Sequence, residues 1–370
     1  MHILHIISGL GDGGAEAVLY RLCQFDKEHN HTVISLKGEG KYGSLLKDIG
    51  LDVYAFDVSS NQIKFSSLRK IYKLIILLKP DVVQTWMIRA DLIGGFLARL
   101  AGIKKIFWGV HFTHLLLDRS ALFRKFCSLL SGYIPKRIIY CAGLSREIQE
   151  SIGYKRSKGI VINNGYNVDS FSPNLSLAKE FRNELNFIDD IFVIGYVGRY
   201  HPDKDITNLI QSFTIVKEGI PNFKVTIIGS DLDDDNQDLK SLIKEHGLSH
   251  YIHLLGTRND IPSVMNGIDL LVLSSRYEAF PNVLNEAMAC GTPCVTTDVG
   301  DSSYIVGMTG WVTPINNPLA LGNAMIQASA EKRFNKHSWI KRKTECRERI
   351  VNKFGLEKMV KQYTSLWTEN

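Results

Sequence analysis

The chain has 370 residues, of which 45% are hydrophobic and 22% charged, and its formal net charge is +6. This length suffices for two domains, and the composition is that of a soluble globular protein. No hydrophobic run is long enough to span a bilayer, and the first residues lack the basic start and cleavage site of a signal peptide. The six cysteines are scattered without zinc-site spacing, so we expect reduced, buried thiols in a cytoplasmic protein.

The charge is distributed unevenly along the chain. Residues 1–170 contain 23 Lys and Arg against 14 Asp and Glu, whereas residues 171–370 contain 21 against 24. The first part is therefore basic and the second slightly acidic. A basic region indicates an anionic partner, which could be a membrane surface, a phosphorylated lipid or nucleic acid.

Short hydrophobic runs alternate with helical patterns along the whole chain. A first series of predicted strands comprises His2–Ser8, Thr32–Leu36, Val53–Phe56, Val82–Thr85, Lys105–Val110, Arg137–Tyr140 and Gly159–Ile162. A second series comprises Phe192–Val197, Lys224–Ile228, Ile252–Leu255, Leu270–Leu273 and Pro293–Thr296. Intervening helical patterns include Ala15–Cys23, Ser66–Leu78, Ala90–Ala101, Asn208–Lys217 and Asn282–Ala289. This alternation predicts an α/β protein with two doubly wound, Rossmann-like parallel-sheet domains.

The domain boundary is predicted where the alternation is interrupted. Asp169, Pro173 and Asn174 break the pattern between Asn167 and Leu185. We therefore assign residues 1–170 to a first domain and residues 171–345 to a second.

A glycine-rich segment, Ser8–Glu16, follows the first predicted strand and opens a helix. Glycines such as Gly13 and Gly14 let backbone amides approach a phosphate closely, and a helix N-terminus adds partial positive charge. The spacing matches neither the dinucleotide-binding fingerprint nor a P-loop. By itself the segment is equally compatible with a plain tight turn.

Two stretches of the first domain interleave basic and hydrophobic residues, at Asn61–Lys79 and Lys104–Arg137. Such a pattern fits a helix that lies on an anionic membrane. It also fits an ordinary amphipathic core helix whose solvated side is basic. No recognisable nucleic-acid-binding module accompanies the stretches, so we predict no nucleic-acid partner.

The second domain opens with a strand that leads into Gly198-Arg199-Tyr200-His201-Pro202-Asp203-Lys204-Asp205. Arg199 can bind a diphosphate in bidentate fashion, and Lys204 can bind it as a point charge. Standing alone, these cations would more often be solvated loop charges.

An acidic loop at Asp231–Asp235 contains D-x-D and begins like a calcium loop. The sixth loop position is Asn236 rather than Gly, and the twelfth is Leu242 rather than Glu. We therefore predict no metal site there. The pair His111 and His114 lacks further ligands nearby in sequence, so we predict no metal site there either.

The most specific segment runs from Ser274 to Pro293 and contains two glutamates eight residues apart, Glu278 and Glu286. Pro281 suits the first turn of a helix and Gly291 its C-terminal stop. Amides near the helix start would point toward a phosphate. Two carboxylates that flank this start can accept hydrogen bonds from hydroxyl groups on both sides of a bound diphosphate.

With these segments the chain resembles the retaining family-4 glycosyltransferases of the GT-B fold over essentially its whole length. The E-x7-E motif of the family matches Glu278 and Glu286. Its other motifs match Gly198, Arg199 and Lys204; Gly13-Gly14-Ala15-Glu16; and an active-site histidine at His111. The hinge signature N-G-V-D appears here as Asn164-Gly165-Tyr166-Asn167-Val168-Asp169, which departs from the family by an insertion.

The resemblance implies roles for these residues. Arg199 and Lys204 would neutralise the leaving diphosphate, and Glu278 and His111 would contact the transferred sugar. Glu286 would hold the ribose hydroxyls. Further donor contacts would come from backbone amides or from a base contact, at Gly13, Gly14, Gly198, Phe280, Asn282, Val283 and Arg258.

The resemblance also implies an architecture and a reaction. Two domains would face each other across a cleft, and a C-terminal helix at about residues 346–370 would pack back on the first domain. The enzyme would need no metal or other cofactor and would use a nucleotide-diphosphate sugar, with UDP favoured over GDP. The acceptor would be a lipid-diphosphate-linked saccharide of O-antigen, capsule or related polysaccharide assembly, reached by peripheral association with the cytoplasmic face of the inner membrane.

Two alternatives of the same fold remain at this level. A nucleotide-sugar 2-epimerase would need catalytic carboxylates in its first domain and no acceptor. A catalytically silent sugar-binding homologue would bind donor without turnover, and the presence of Arg199, Lys204, Glu278 and Glu286 argues against it.

Overall fold

The computed structural model describes residues 1–58, 65–112, 120–187 and 190–369. They form two compact units, each with its own sheet. The amino-terminal unit comprises Met1–Gly165 and Leu356–Asn370, and the carboxy-terminal unit comprises Tyr166–Gly355. Within the described ranges, no helix is long and apolar enough to cross a bilayer.

The amino-terminal unit contains a seven-stranded parallel sheet. Its strands are β1 (His2–Ile7), β2 (Asn30–Ser35), β3 (Asp52–Ala55), β4 (Val82–Trp86), β5 (Ile106–Val110), β6 (Arg137–Tyr140) and β7 (Gly159–Val161). The order is β3-β2-β1-β4-β5-β6-β7. The central strands are almost wholly buried, as expected for a parallel sheet that is covered on both faces.

Helices cover both faces of this sheet. They are α1 (Gly14–Phe25), α2 (Gly40–Asp48), α3 (Phe65–Leu78), α4 (Gly95–Leu100), α5 (Ser120–Leu130) and α6 (Gly143–Ser151). A π-helical turn at Ala90–Gly94 precedes α4. One hydrophobic cluster lies under α1 and another lies on the side of α3 and α4.

The carboxy-terminal unit contains a six-stranded parallel sheet. Its strands are β8 (Phe192–Val197), β9 (Phe223–Ile228), β10 (Ile252–Gly256), β11 (Leu270–Leu273), β12 (Cys294–Thr297) and β13 (Trp311–Thr313). The order is β10-β9-β8-β11-β12-β13. Its helices are α7 (Leu175–Glu184), α8 (Ile206–Gly219), α9 (Gln237–Glu245), α10 (Ile261–Gly267), α11 (Asn282–Ala289), α12 (Ser302–Val306), α13 (Pro318–Phe334) and α14 (Lys336–Phe354).

The last helix, α15 (Leu356–Thr368), belongs to the amino-terminal unit and packs against α1. Its apolar stripe buries Met359, Tyr363 and Trp367 in the same cluster as β1 and β4. This spacing of four residues places the three side chains on one face of the helix.

The unit boundaries differ from the predicted ones by five to ten residues. The chain changes unit at Gly165/Tyr166 rather than at 170/171, and it returns at Gly355/Leu356 rather than near 346. The second difference arises because the charged C-terminal pattern forms two helices. The first, α14, buries Trp339, Cys346 and Ile350 in the carboxy-terminal unit.

All six cysteines are free and buried, in agreement with the expectation from their spacing. The acidic loop at Asp231–Asp235 leads to α9, whose N-terminus is capped by the side chain of Asn236. Residues 61–64 and 113–119, which include Lys64, His114 and Arg119 of the patterns considered above, lie outside the described residues.

Candidate functional site

The strand order of the carboxy-terminal sheet reverses between β8 and β11. β8 pairs with β9 on one side and with β11 on the other, so the loops that follow β8 and β11 leave the sheet edge side by side. Ligands of doubly wound sheets bind in the crevice at this position. The two segments singled out from sequence, Gly198–Asp205 and Ser274–Pro293, begin in these two loops.

Lys204 and Glu278 join the two loops directly. Lys204 ends a short 3-10 turn at Pro202–Lys204, and its Nζ donates to Oε1 of Glu278. The hydroxyl of Ser275 donates to the same oxygen at 2.8 Å. The side chains of Lys204 and Glu278 are only 20% and 14% exposed, so this charged pair is partly shielded from solvent. A shielded cation and carboxylate at a strand edge suit recognition of a polar, anionic ligand.

A second ion pair fixes the same two loops. Arg276 donates in a fork to both oxygens of Asp205, at 2.8 Å each. Asp205 is buried, has a left-handed backbone with φ +49°, and accepts from the amide of Asn208 at the start of α8. The carbonyl of Asp203 accepts from the amide of Arg276 at 2.7 Å. The loops are therefore held in register independently of Lys204 and Glu278.

Gly198 and Arg199 stand at the end of β8. The amide of Gly198 donates to the carbonyl of Ile228 at 2.9 Å, and Gly229 passes so close that a Cβ there would lie 1.4 Å from the Gly198 oxygen. A Cβ at Gly198 itself would lie 2.6 Å from the hydroxyl of buried Tyr196. Arg199 is exposed, and no carboxylate of the described residues forms an ion pair with it.

Helix α11 starts where the loop after β11 ends. Pro281 is the N-cap and provides no side-chain acceptor for the first-turn amides. Phe280 is buried and packs edge-on against Phe354, with ring centroids 5.5 Å apart. Asn282 accepts a hydrogen bond from the hydroxyl of Tyr166. An uncapped helix start of this kind favours an anion.

Glu286 and Val283 lie on α11 within the first turns and are half-buried. The carboxylate of Glu286 is therefore one turn inside the helix, whereas Glu278 lies before it. The loop that carries Glu278 is packed against Gly300, whose φ is +54°. A Cβ on Gly300 would lie 2.5 Å from the carbonyl oxygens of Glu278 and Ala279, so this close approach requires glycine.

In the amino-terminal unit, Gly13 is the N-cap of α1 and Gly14 its first residue. Gly14 is exposed and Gly13 is half-buried. A Cβ on Gly13 would lie 2.4 Å from the carboxylate of Glu16, which folds back over the helix start.

His111 directly follows β5 and stacks on Trp86, with ring centroids 5.2 Å apart and an angle of 30°. Burial lowers the pKa of His111 to about 4, so the ring is neutral at neutral pH. Its Nε2 atom is buried and has no hydrogen-bond partner among the described residues. A neutral imidazole with one uncommitted nitrogen can exchange hydrogen bonds with a hydroxyl group.

Two family models match the chain. Residues 12–170 match "Glycosyltransferase Family 4", and residues 178–345 match "Glycosyl transferases group 1". The chain belongs to the family-4 glycosyltransferases.

Individual relatives agree with this assignment. The chain is 27% identical over 312 residues to UDP-Gal:alpha-D-GlcNAc-diphosphoundecaprenol alpha-1,3-galactosyltransferase of Escherichia coli, covering 82% of this chain and 79% of the relative. It is 28% identical to the capsular polysaccharide biosynthesis glycosyltransferase CapM of Staphylococcus aureus, covering 82% and 81%. Its fold matches that of Anabaena Alr3699/HepE in complex with UDP, with TM-score 0.87, 21% identity and 99% coverage of both chains. Nothing in these similarities favours the epimerase alternative.

This glycosyltransferase has the two Rossmann-like parallel-sheet units of the GT-B fold, as predicted. Within its carboxy-terminal unit, the structure brings Lys204 and Glu278 into contact. Arg258, by contrast, is engaged elsewhere: its guanidinium donates to Glu184 at 2.6 and 2.9 Å and to Asp260 at 2.8 and 2.7 Å. These bonds raise the pKa of Arg258. Its contact with a base stays a prediction.

Several residues of the candidate site were not predicted from the sequence. Ser275 was read only as part of a loop, and the Arg276–Asp205 pair and the Tyr166–Asn282 bond join residues 71 and 116 positions apart. No local pattern predicts such pairings. A signal was present only at Asp205, because an Asp before a helical pattern is a common N-cap.

Proposed function

We propose that this protein is a retaining glycosyltransferase that moves a hexosyl or N-acetylhexosaminyl group from a nucleotide-diphosphate sugar to a lipid-diphosphate-linked saccharide. The observation that carries the proposal is the contact of Lys204 and Glu278 at the strand-order reversal, beside the uncapped start of α11. The likeness to a galactosyltransferase named for an undecaprenol-diphosphate acceptor supports the acceptor class.

The carboxy-terminal unit binds the donor in this proposal. Arg199 and Lys204 neutralise the diphosphate as it leaves, a form of electrostatic stabilisation that often makes the largest contribution to such catalysis. Amides at Phe280, Asn282 and Val283, and those at Gly13, Gly14 and Gly198, assist. Glu286 holds the ribose, and Glu278 and His111 hold the transferred sugar.

Retention requires no side-chain nucleophile in this proposal. The acceptor hydroxyl attacks the anomeric carbon from the face that the diphosphate leaves, the bond to the diphosphate oxygen breaks, and a donor phosphate oxygen takes the hydroxyl proton. Glu278 is already paired with Lys204 and Ser275, which suits a residue that positions rather than attacks. No metal or other cofactor takes part in these steps.

UDP is the favoured nucleotide, with support from the relative named for UDP-Gal and from the similar fold solved with UDP. The product belongs to O-antigen, capsule or related polysaccharide, as the likeness to CapM supports.

We also propose peripheral association with the cytoplasmic face of an anionic membrane through the amino-terminal unit. Helices α3, α4 and α5 expose large apolar side chains, and α3 and α5 also expose basic ones. The apolar residues are Phe65, Ile76, Leu77, Phe96, Leu100, Phe126 and Leu129; the basic ones are Arg69, Lys70, Lys73 and Lys125. Apolar groups that insert and cations that contact phosphates give such binding.

A thermal-shift screen of nucleotide sugars tests the donor assignment. A ligand that binds the folded state raises the melting temperature by mass action, so UDP and one or more UDP-sugars should stabilise the protein more than GDP and GDP-sugars. Stabilisation by GDP-sugars alone would contradict the UDP assignment. No stabilisation by any nucleotide sugar would contradict the donor site itself.

A further inference from the structure

Trp86 connects His111 to the interior of the amino-terminal unit. It is the last residue of β4 and is fully buried. The rings of His111 and of Tyr363 on α15 both stack on the indole; for Tyr363 the ring centroids are 5.8 Å apart and the angle between the planes is 25°. The ring torsion of a histidine side chain is intrinsically broad. A neighbouring aromatic plane therefore determines which way the imidazole of His111 faces.

The indole of Trp86 is itself anchored by a hydrogen bond. Its Nε1 donates to Nδ1 of His5 at 3.2 Å, and Nε2 of His5 lies 3.0 Å from Nδ1 of His31. Nε2 of His31 lies 3.3 Å from a carboxylate oxygen of Asp26. Asp26 is fixed in turn by Nδ1 of His29 at 2.9 Å.

The indole N–H determines the direction of the hydrogen bonds between these side chains. An indole N–H can only donate, so Nδ1 of His5 is the acceptor and the neutral ring carries its proton on Nε2. That proton is donated to Nδ1 of His31. Nε2 of His31 lies close to the Asp26 carboxylate but forms no hydrogen bond with the described residues, so its contact with Asp26 is electrostatic. Burial holds the pKa of His5 well below its usual range and keeps the ring neutral.

Ligand atoms of the same histidines resemble a metal site but are better suited to the hydrogen bonds that join Trp86, His5 and His31. Ligand atoms of His5, Cys23 and His31 lie within 4.8 Å of one another, and two imidazoles with a thiolate are typical zinc ligands. A metal on Nε2 of His5 would require a proton on its Nδ1, which would then face the Trp86 N–H at 3.2 Å. Two donors would oppose each other, so the indole disfavours the metal.

We propose that Trp86 is a positioning residue for the transfer reaction, which it serves by fixing the plane of the His111 ring, and that the row Asp26–His31–His5 fixes Trp86. The inference rests on the proposed contact of His111 with the transferred sugar. With the plane fixed, Nε2 of His111 faces one direction before the sugar binds. The imidazole ring therefore loses no rotational freedom on binding. Trp86 then acts on turnover through His111 rather than by touching the substrate.

A double-mutant cycle tests this inference. Trp86→Phe keeps an aromatic ring but removes the anchored N–H, and should lower kcat roughly fivefold to thirtyfold while the KM for the donor changes little. His111→Ala should lower kcat by more. The double variant should equal His111→Ala alone, because a residue that acts through another has no effect once that residue is removed. Trp108→Phe, a fully buried tryptophan of the neighbouring strand, is the matched control and should leave kcat unchanged.

The outcomes separate the inference from the proposed function. If His111→Ala leaves kcat unchanged, the sugar contact of His111 fails, and the inference with it. If His111→Ala lowers kcat but Trp86→Phe does not, or if the two effects multiply, only the inference is overturned.

A measurement on the unaltered protein covers the case in which Trp86→Phe does not fold. The ring protons of His111 in histidine-labelled protein should show an upfield ring-current shift that persists on addition of UDP. Absence of that shift, or its loss with UDP, would overturn the inference.

Discussion

At the scale of single residues, Lys204 carries the largest share of the proposed chemistry. Its ammonium lies on Glu278 and its carbonyl accepts from the hydroxyl of Ser274 at 2.8 Å, so both ends of the residue are fixed. A cation held before the donor arrives stabilises the leaving diphosphate without further reorganisation.

Lys204→Ala should therefore slow transfer by roughly a hundredfold or more, with a smaller effect on the KM for the donor. Lys332→Ala is the matched control. Lys332 also forms a partly buried pair with a carboxylate of the same unit, at 2.6 Å from Asp269, but Asp269 precedes β11 and so lies at the opposite sheet edge. Steady-state kinetics of both variants test this prediction. Equal losses of kcat in Lys204→Ala and Lys332→Ala would contradict the role of Lys204.

His111 gives a prediction about pH. Its pKa is about 4 in the folded protein against 6.5 in the unfolded chain. As the pH falls from 6.5 toward 4, His111 becomes protonated in the unfolded chain but stays neutral in the folded protein. The free energy of unfolding therefore falls by at most about 1.4 kcal/mol per pH unit from this residue.

Chemical unfolding at pH 7 and pH 5 measures the effect. The loss of stability between these two values should be smaller in His111→Gln than in the unaltered protein. Substitution of the exposed His337 is the control. An equal loss in all three proteins would show that the imidazole of His111 is not buried as the structure has it.

At the scale of elements, the close approach of Gly300 to the Glu278 loop is the most sensitive feature. Gly300→Ala would place Cβ 2.5 Å from two carbonyl oxygens, and it would also have to keep a φ of +54°. We expect a loss of about 1–3 kcal/mol of stability and at least a tenfold loss of kcat/KM, because the loop must move.

Gly247→Ala separates the two causes. Gly247 has a φ of +65°, but the nearest atom to a new Cβ is the Lys217 ammonium at 3.5 Å, at the end of a flexible side chain. This control should lose about 1 kcal/mol of stability from the backbone alone and keep its activity. If Gly300→Ala has the same kcat/KM as Gly247→Ala, Gly300 does not position Glu278.

Local sequence signals predicted some elements well and others poorly. The helix Asn282–Ala289 was predicted with the bounds that the structure has, because Pro281 and Gly291 mark its two ends. The three-residue strand β13 was missed because so short a run carries no periodicity. The division of the C-terminal pattern at Gly355 was also missed, since the apolar positions of α14 and α15 serve different units.

The same distinction applies to the candidate site. Lys204 and Glu278 could be singled out, although they lie in different loops, because each belongs to a recognisable local segment. The row from Asp26 to Trp86 could not, because it joins β1, β4 and the start of β2 through side chains up to 81 positions apart. Such groups become visible only when the order of the strands is known.

At the scale of the whole molecule, membrane association can be tested by co-sedimentation with vesicles. The protein should bind vesicles that contain phosphatidylglycerol and bind phosphatidylcholine vesicles weakly, and binding should fall as salt rises. Replacement of Lys70 and Lys73 on α3 by Glu should reduce binding, whereas the same replacement of exposed Lys240 and Lys244 on α9 should not. Equal binding to both kinds of vesicle would contradict the electrostatic part of the proposal.

The central claim is tested most directly by following the transferred sugar. A UDP-sugar chosen from the thermal-shift screen is incubated with undecaprenyl-diphosphate-linked N-acetylglucosamine and a chelator, and the product is examined by NMR. The account predicts release of UDP that depends on the acceptor, together with a new glycosidic bond that keeps the anomeric configuration of the donor. A free epimeric nucleotide sugar formed without acceptor, an inverted linkage, or activity abolished by the chelator and restored by a divalent metal would contradict it.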